Sequence, residues 1–182
     1  LTDLIPPAIG TTALCSVMLY LRRREYLLFT LIEGGRLVSK LATSTRVMTA
    51  STADYEFLKS LKGVQLLSFK IDGVRGINEN GITYSRTGKA FPNKLLQKKF
   101  ANAVDLDFEI VHGGPTDDNL CDITRGMCNS FGQPVDSTKL FVFDRLGKDA
   151  VAFRSRHASA SKMAKATNSP DIHVVQQFEV EG

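Results

Sequence analysis

Leu66-Leu67-Ser68-Phe69-Lys70-Ile71-Asp72-Gly73-Val74-Arg75-Gly76 is the most informative stretch of this chain. Residues 64–71 read as a strand bounded by Gly63 and Gly73. Side chains alternate across a strand, so Leu66, Ser68, Lys70 and Asp72 share one face. Leu67, Phe69 and Ile71 share the other and can pack into a core. Lys70 therefore stands on a pocket-facing row, and Gly73 permits a sharp turn just after it. A lysine amine is a poor nucleophile while protonated, with a reference pKa of roughly 10.4. Desolvation and neighbouring cations lower such a value, and Arg75 follows closely. Taken alone, the stretch fits an edge lysine beside an Asp-Gly hairpin turn equally well.

Composition sets the bounds. A chain of 182 residues, 43% hydrophobic and 23% charged, has room for one ordinary globular domain with a possible appendage. Cys15, Cys121 and Cys128 form an odd, sparse set with no histidine cluster, which argues against a disulfide framework or a zinc site. A reduced, cytoplasmic setting fits that usage, or the host cytoplasm if the source is viral. The net charge is +4, but six Lys/Arg and three Asp/Glu fall in residues 1–50. Of the 23 and 19 in the whole chain, this leaves 17 and 16 for the body, so charge alone does not argue for nucleic acid. No G-x-x-x-x-G-K-[ST] or G-x-G-x-x-G loop is present, so any use of ATP must run through a covalent lysine. His112, His157 and His173 are scattered and support no Ser-His-Asp arrangement.

The apolar run Ala8–Leu21 follows Pro6-Pro7 and precedes Arg22-Arg23-Arg24. It falls short of the about 20 residues a bilayer span needs, and its charges lie on the wrong side for a signal peptide. A buried helix is the alternative, and no membrane contact is expected. From Ser51 the pattern clears, with a short helix through about Leu61 that Ser51 or Thr52 can cap. Asn80-Gly81 is a hairpin turn, with 82–86 as the return strand. Residues 92–103 have helical spacing with Leu95, Leu96 and Phe100 inward. Asp107 and Glu109 share one face of a strand, opposite Leu106, Phe108 and Ile110. Residues 113–118 form a turn-rich loop, 119–130 a short helix, 139–144 an apolar strand, 153–165 a helix and 172–178 a final strand. Cys121 and Cys128 read as core filler.

Lys70-Ile71-Asp72-Gly73-Val74-Arg75 fits K-x-D-G-x-R, the nucleophile motif of ATP-dependent DNA ligases and of the mRNA capping enzymes. Ser85-Arg86-Thr87-Gly88-Lys89 looks like the S-R-T-x-K segment of the ligases. Asp107-Phe108-Glu109 sits where the family has D-G-E, and Phe143-Asp144 resembles its F-D segment. In combination these motifs resemble a small, bacteriophage-type ligase of the covalent nucleotidyltransferase superfamily, over about residues 51–180. The resemblance implies an α+β fold: a partial adenylation domain, ATP-grasp-like, with antiparallel sheets flanked by helices. Residues 1–47 would be an extension ahead of Met48, and 48–182 an incomplete adenylation domain.

The implied activity is nick sealing in DNA replication, repair and recombination. Lys70 would take AMP from ATP, AMP would pass to a 5′-phosphate, and a 3′-hydroxyl would displace it. Ser68, Phe69, Ile71 and Asp72 would flank the nucleotide, and Arg75 and Arg86 would serve phosphates. Glu109 would hold magnesium or the ribose, and Phe143 would stack on adenine. The partners would be ATP and nicked duplex DNA, with the protein a monomer. Phe108 in place of the family glycine must alter the packing beside Glu109. The family's E-G-hydrophobic and K-x-K segments and its oligonucleotide-binding domain have no match here, so weak or no self-adenylation is expected from these residues alone. Two other readings stay open: an RNA ligase or capping guanylyltransferase, and a catalytically dead nucleotide- or nick-binding module.

Overall fold

The stretch 66–76 lies where two β-sheets meet. The structure, a computed structural model, describes residues 17–19, 60, 62–114, 117–146 and 151–181. β2 (Val64–Phe69) is the centre of a three-stranded sheet, between β1 (Val17–Leu19) and β8 (Gln177–Glu181) and antiparallel to both. β3 (Val74–Glu79) belongs to a second sheet, in the order β4–β3–β5–β6–β7. There β4 is Ile82–Ser85, β5 is Leu106–His112, β6 is Thr138–Arg145 and β7 is Ile172–Val174. Its pairings are antiparallel except β6 with β7, which is parallel. That one parallel pair stands among otherwise antiparallel strands because α3 (Phe153–Ala166) is a crossover returning the chain in the direction of β6.

Local chemistry sets these elements. The β3–β4 hairpin turns at Asn80 and Gly81, both with positive φ, 55° and 81°, as a tight two-residue turn requires. α1 (Lys94–Lys99) begins at Asn93, whose Oδ1 accepts from the backbone N–H of Leu95 and Leu96. α2 (Leu120–Asn129) and α3 cover the same face of the large sheet as α1. Leu96 and Phe100, Phe108 and Ile110, Met127 and Cys128, Leu140 and Val142, and Ala160 and Ala164 form one core there. Gly76 stands opposite Phe108 in the β3–β5 register, and a Cβ on it would lie 2.7 Å from that ring. The ring therefore fills the space a side chain at 76 would need.

Several sequence expectations are corrected. β2 ends at Phe69 rather than at residue 71, and Phe69 is 42% exposed rather than in the core. It meets Phe178 edge-on, with ring centroids 5.7 Å apart. Leu95 is 44% exposed, because a six-residue helix turns only Leu96, with Phe100 one turn on, towards the core. The expected strand 172–178 is two strands. Val175 N–H still donates to Val142 O, after which the chain leaves the large sheet and pairs with β2. Within the Ala8–Leu21 run, Val17–Leu19 form a strand rather than part of a helix, and the rest of that run lies outside the described residues. So does the expected helix 51–61 apart from Ser60. Among the described residues no helix is long and apolar enough to cross a membrane.

Candidate active site

The step from β2 to β3 builds one wall of a cleft. Ser68, Phe69, Lys70, Ile71, Arg75, Glu109, Phe143 and Val175 line it. The loop between the sheets is held down at Gly73, where a Cβ would stand 2.2 Å from Ile110 O, so only glycine permits that approach. The Cys121 thiol of α2 donates to Gly73 O at 3.1 Å and fastens the loop from the helix side. The floor comes from β-register. Arg75 is the partner of Glu109, Glu109 of Phe141, and Phe141 of His173, so these four share one sheet face. Alternation along β5 turns Phe108, fully buried, to the opposite face, which leaves the Glu109 carboxylate free to face the cleft.

Charge in the cleft is arranged around Arg75. Its Nε and terminal nitrogen donate to the two oxygens of Asp107 at 3.0 and 2.6 Å, a fork-to-fork pair. Its guanidinium carbon lies 5.0 Å from the centroid of the Phe143 ring. Asp107 is 1% exposed, and burial raises its pKa to about 6 against the opposing pull of Arg75. Asp144, its register partner, is held by Arg156, whose Nε and terminal nitrogen donate to its two oxygens, both at 3.0 Å. Burial also pushes Glu109 up to about 7, with Arg75 and then Lys70 opposing the shift. Lys70 thus stands near enough to bear on the charge of Glu109. A carboxyl with that pKa is divided between its two protonation states near neutrality.

Seven of the residues expected at the site therefore stand together: Lys70, Ser68, Phe69, Ile71, Arg75, Glu109 and Phe143. Phe69, the last residue of β2, is on the lining at the strand's end, and Ile71 joins Lys70 there because strict alternation stops after 69. Two expected residues are placed differently. Asp72 is exposed and does not line the cleft, although its charge reaches Glu109. Arg86 is exposed in the turn 85–89, closed by Ser85 N–H to Lys89 O at 2.8 Å and Gly88 N–H to Ser85 O at 2.9 Å. The hairpin carries it to the edge of the large sheet, with β3 between it and Glu109. Val175 is on the lining but was not a sequence candidate, since an apolar residue inside a presumed continuous strand gives no signal.

Among the described residues no group of three or more His, Cys, Asp or Glu converges. A magnesium ion would have to be held by Glu109 with phosphate oxygens and water, an arrangement that ion accepts. The half-buried, cleft-facing Glu109 suits a cation of that kind. The cleft holds about 90 Å³, less than the roughly 300–1,000 Å³ of a small-molecule site. The residues described here thus supply part of the wall of such a site.

Solved structures with this fold were found. The structure of a Chlorella virus DNA ligase-adenylate is 16% identical, with a TM-score of 0.55, over 72% of this chain and 48% of that one. A second structure of the Chlorella virus ligase-adenylate is 17% identical with a TM-score of 0.53, over 64% and 44%. A Lig E DNA ligase is 20% identical with a TM-score of 0.52, over 65% and 45%. This chain spans less than half the length of each. No family model and no curated protein matches the sequence. The fold, mixed α+β with two sheets and three helices among the described residues, is that of part of a DNA ligase nucleotidyltransferase domain.

Proposed function

We propose that this chain is the nucleotide-binding part of an ATP-dependent DNA ligase, with Lys70 as the acceptor of AMP. The observation that carries this reading is the meeting of Lys70, Arg75, Glu109 and Phe143 in one cleft, although they come from three separate segments of the sequence. The Lys70 amine attacks the α-phosphate of ATP, the P–N bond forms as the bond to pyrophosphate breaks, and the amine gives up a proton. Phe143 offers a ring face to adenine. Arg75, held by Asp107 and already beside Phe143, presents cationic charge to the phosphates. Glu109 in its ionised form would hold magnesium, whose charge would offset that of the phosphates. AMP then passes to the 5′-phosphate of nicked duplex DNA, and a 3′-hydroxyl displaces it. Arg86, exposed on its edge turn, meets the DNA backbone rather than the nucleotide. The likeness to DNA ligase structures favours this reading over an RNA ligase or guanylyltransferase.

The test is incubation of the chain with magnesium and ATP labelled at the α-phosphate, followed by peptide mapping. A weak label on the Lys70 peptide, stable in alkali and lost in acid, is expected, since the segments that would complete the site have no match in these residues. It should be absent with γ-labelled ATP, with GTP and in Lys70→Ala. Guanylate on Lys70 from GTP would instead support the capping-enzyme reading. Nucleotide binding without any covalent label would support the binding-module reading.

A further inference from the structure

Gln177 opens β8 directly opposite Ser68 of β2, and antiparallel partners point to the same face of a sheet. Ser68 is 4% exposed and lines the cleft with Lys70, so the Gln177 side chain lies on the cleft side of the small sheet. Two residues earlier, where the chain is still bonded to the large sheet, Val175 lines the cleft as well. Both polar atoms of the Gln177 amide, Oε1 and Nε2, are buried and have no hydrogen-bond partner. His173, on the other side of Val175, has a buried Nε2 in the same condition, over the ring of Phe141. Buried amides are almost always bonded, because an unmade bond leaves the full desolvation cost in place. Gln177 stands behind the lining rather than on it: its donor and acceptor, side by side and both unspent, lie next to Ser68 on the cleft side of the small sheet and match a planar base edge.

We infer that Gln177 reads the base of the bound nucleotide, accepting from the N6 amine of adenine with Oε1 and donating to N7 with Nε2. The inference rests on the adenylation reading above and deepens it. An amide of this kind pairs in two bonds with the N6/N7 edge of adenine. Guanine presents two acceptors on that edge, O6 and N7, and one amide cannot satisfy both. The orphaned amide thus selects ATP over GTP before the covalent step, and Lys70 receives whichever nucleotide has been admitted.

Nucleotide binding by the full chain, measured by calorimetry without magnesium so that no transfer follows, tests this with ATP, 7-deaza-ATP and GTP. The wild-type protein should bind ATP at least roughly tenfold more tightly than 7-deaza-ATP, which lacks the N7 acceptor, and than GTP. Gln177→Met, similar in volume but without the amide, should bind all three alike. In the absence of nucleotide its unfolding midpoint should equal or exceed that of the wild type, since it removes an unpartnered polar group. Equal wild-type affinity for ATP and 7-deaza-ATP, retained discrimination in Gln177→Met, or a lowered midpoint would each overturn the inference and leave the adenylation reading standing. Failure of every nucleotide to bind would overturn both.

Discussion

Among single residues, Glu109 has the widest consequences. Burial raises its carboxyl to about 7 and that of Asp107 to about 6, each above its ordinary value. The folded chain therefore keeps protons that the unfolded chain has released, and this contribution to stability is present at low pH and lost as pH rises through about 6 to 7. Denaturation midpoints should fall from pH 5 to pH 8, and Glu109→Gln should flatten that dependence. Lysine adenylation should run the other way, rising through about pH 7 as Glu109 ionises and can hold magnesium. A rate that is flat from pH 6 to 8 would remove Glu109 from the metal site. Phe143→Ala should weaken ATP binding by about 1–3 kcal/mol, the usual worth of a base stacked on an aromatic ring. Calorimetric titration checks this. At this scale Lys70, Arg75, Glu109 and Phe143 could be picked out because the segments that hold them resemble ligase motifs. The forked bond from Arg75 to Asp107 could not, because it spans two strands whose register the sequence does not state.

Among the elements, α1 and the β3–β5 pair carry the clearest tests. Asn93 is fully buried, caps α1 with Oδ1, and with Nδ2 reaches Met127 O at 2.9 Å and Gln133 O at 3.0 Å. Asn93→Ala removes a cap and two buried hydrogen bonds, and should cost roughly 2–4 kcal/mol in denaturant titration. Gly76→Ala would drive a methyl into Phe108, costing about 1–3 kcal/mol. Combining it with Phe108→Leu should recover part of that loss, whereas additive losses would show that the two positions do not share the space. The hairpin at Asn80-Gly81 was legible because its turn chemistry is local. Leu95 was misplaced because an apolar residue in a short helix gives no sign of which way it faces. The break at Val175-Gln176 was invisible because no proline, glycine or charge marks it; the strand leaves one sheet only because β2 offers it another partner.

At the scale of the whole molecule, the cleft exists because two sheets share consecutive stretches of chain at each side, β2 with β3 and β7 with β8. ATP bound there would touch both sheets and should stabilise the fold by about 2.7 kcal/mol at a concentration 100 times its dissociation constant. A thermal shift with ATP that is reduced in Phe143→Ala checks this, and a shift untouched by that change would place the nucleotide elsewhere. The sequence by itself singled out, through their likeness to ligase motifs, the candidate groups that the cleft gathers, and through short-range periodicity most of the strands and helices that carry them. It also supplied Gly73 and Gly76, the positions where backbone and ring come too close for a side chain. Only the tertiary structure decided that Arg86 stands at a sheet edge away from the cleft, that Asp107 anchors Arg75, and that the Gln177 amide is left unpaired beside Ser68. Those facts depend on strand order and register, which long-range packing fixes and no local run of residues encodes.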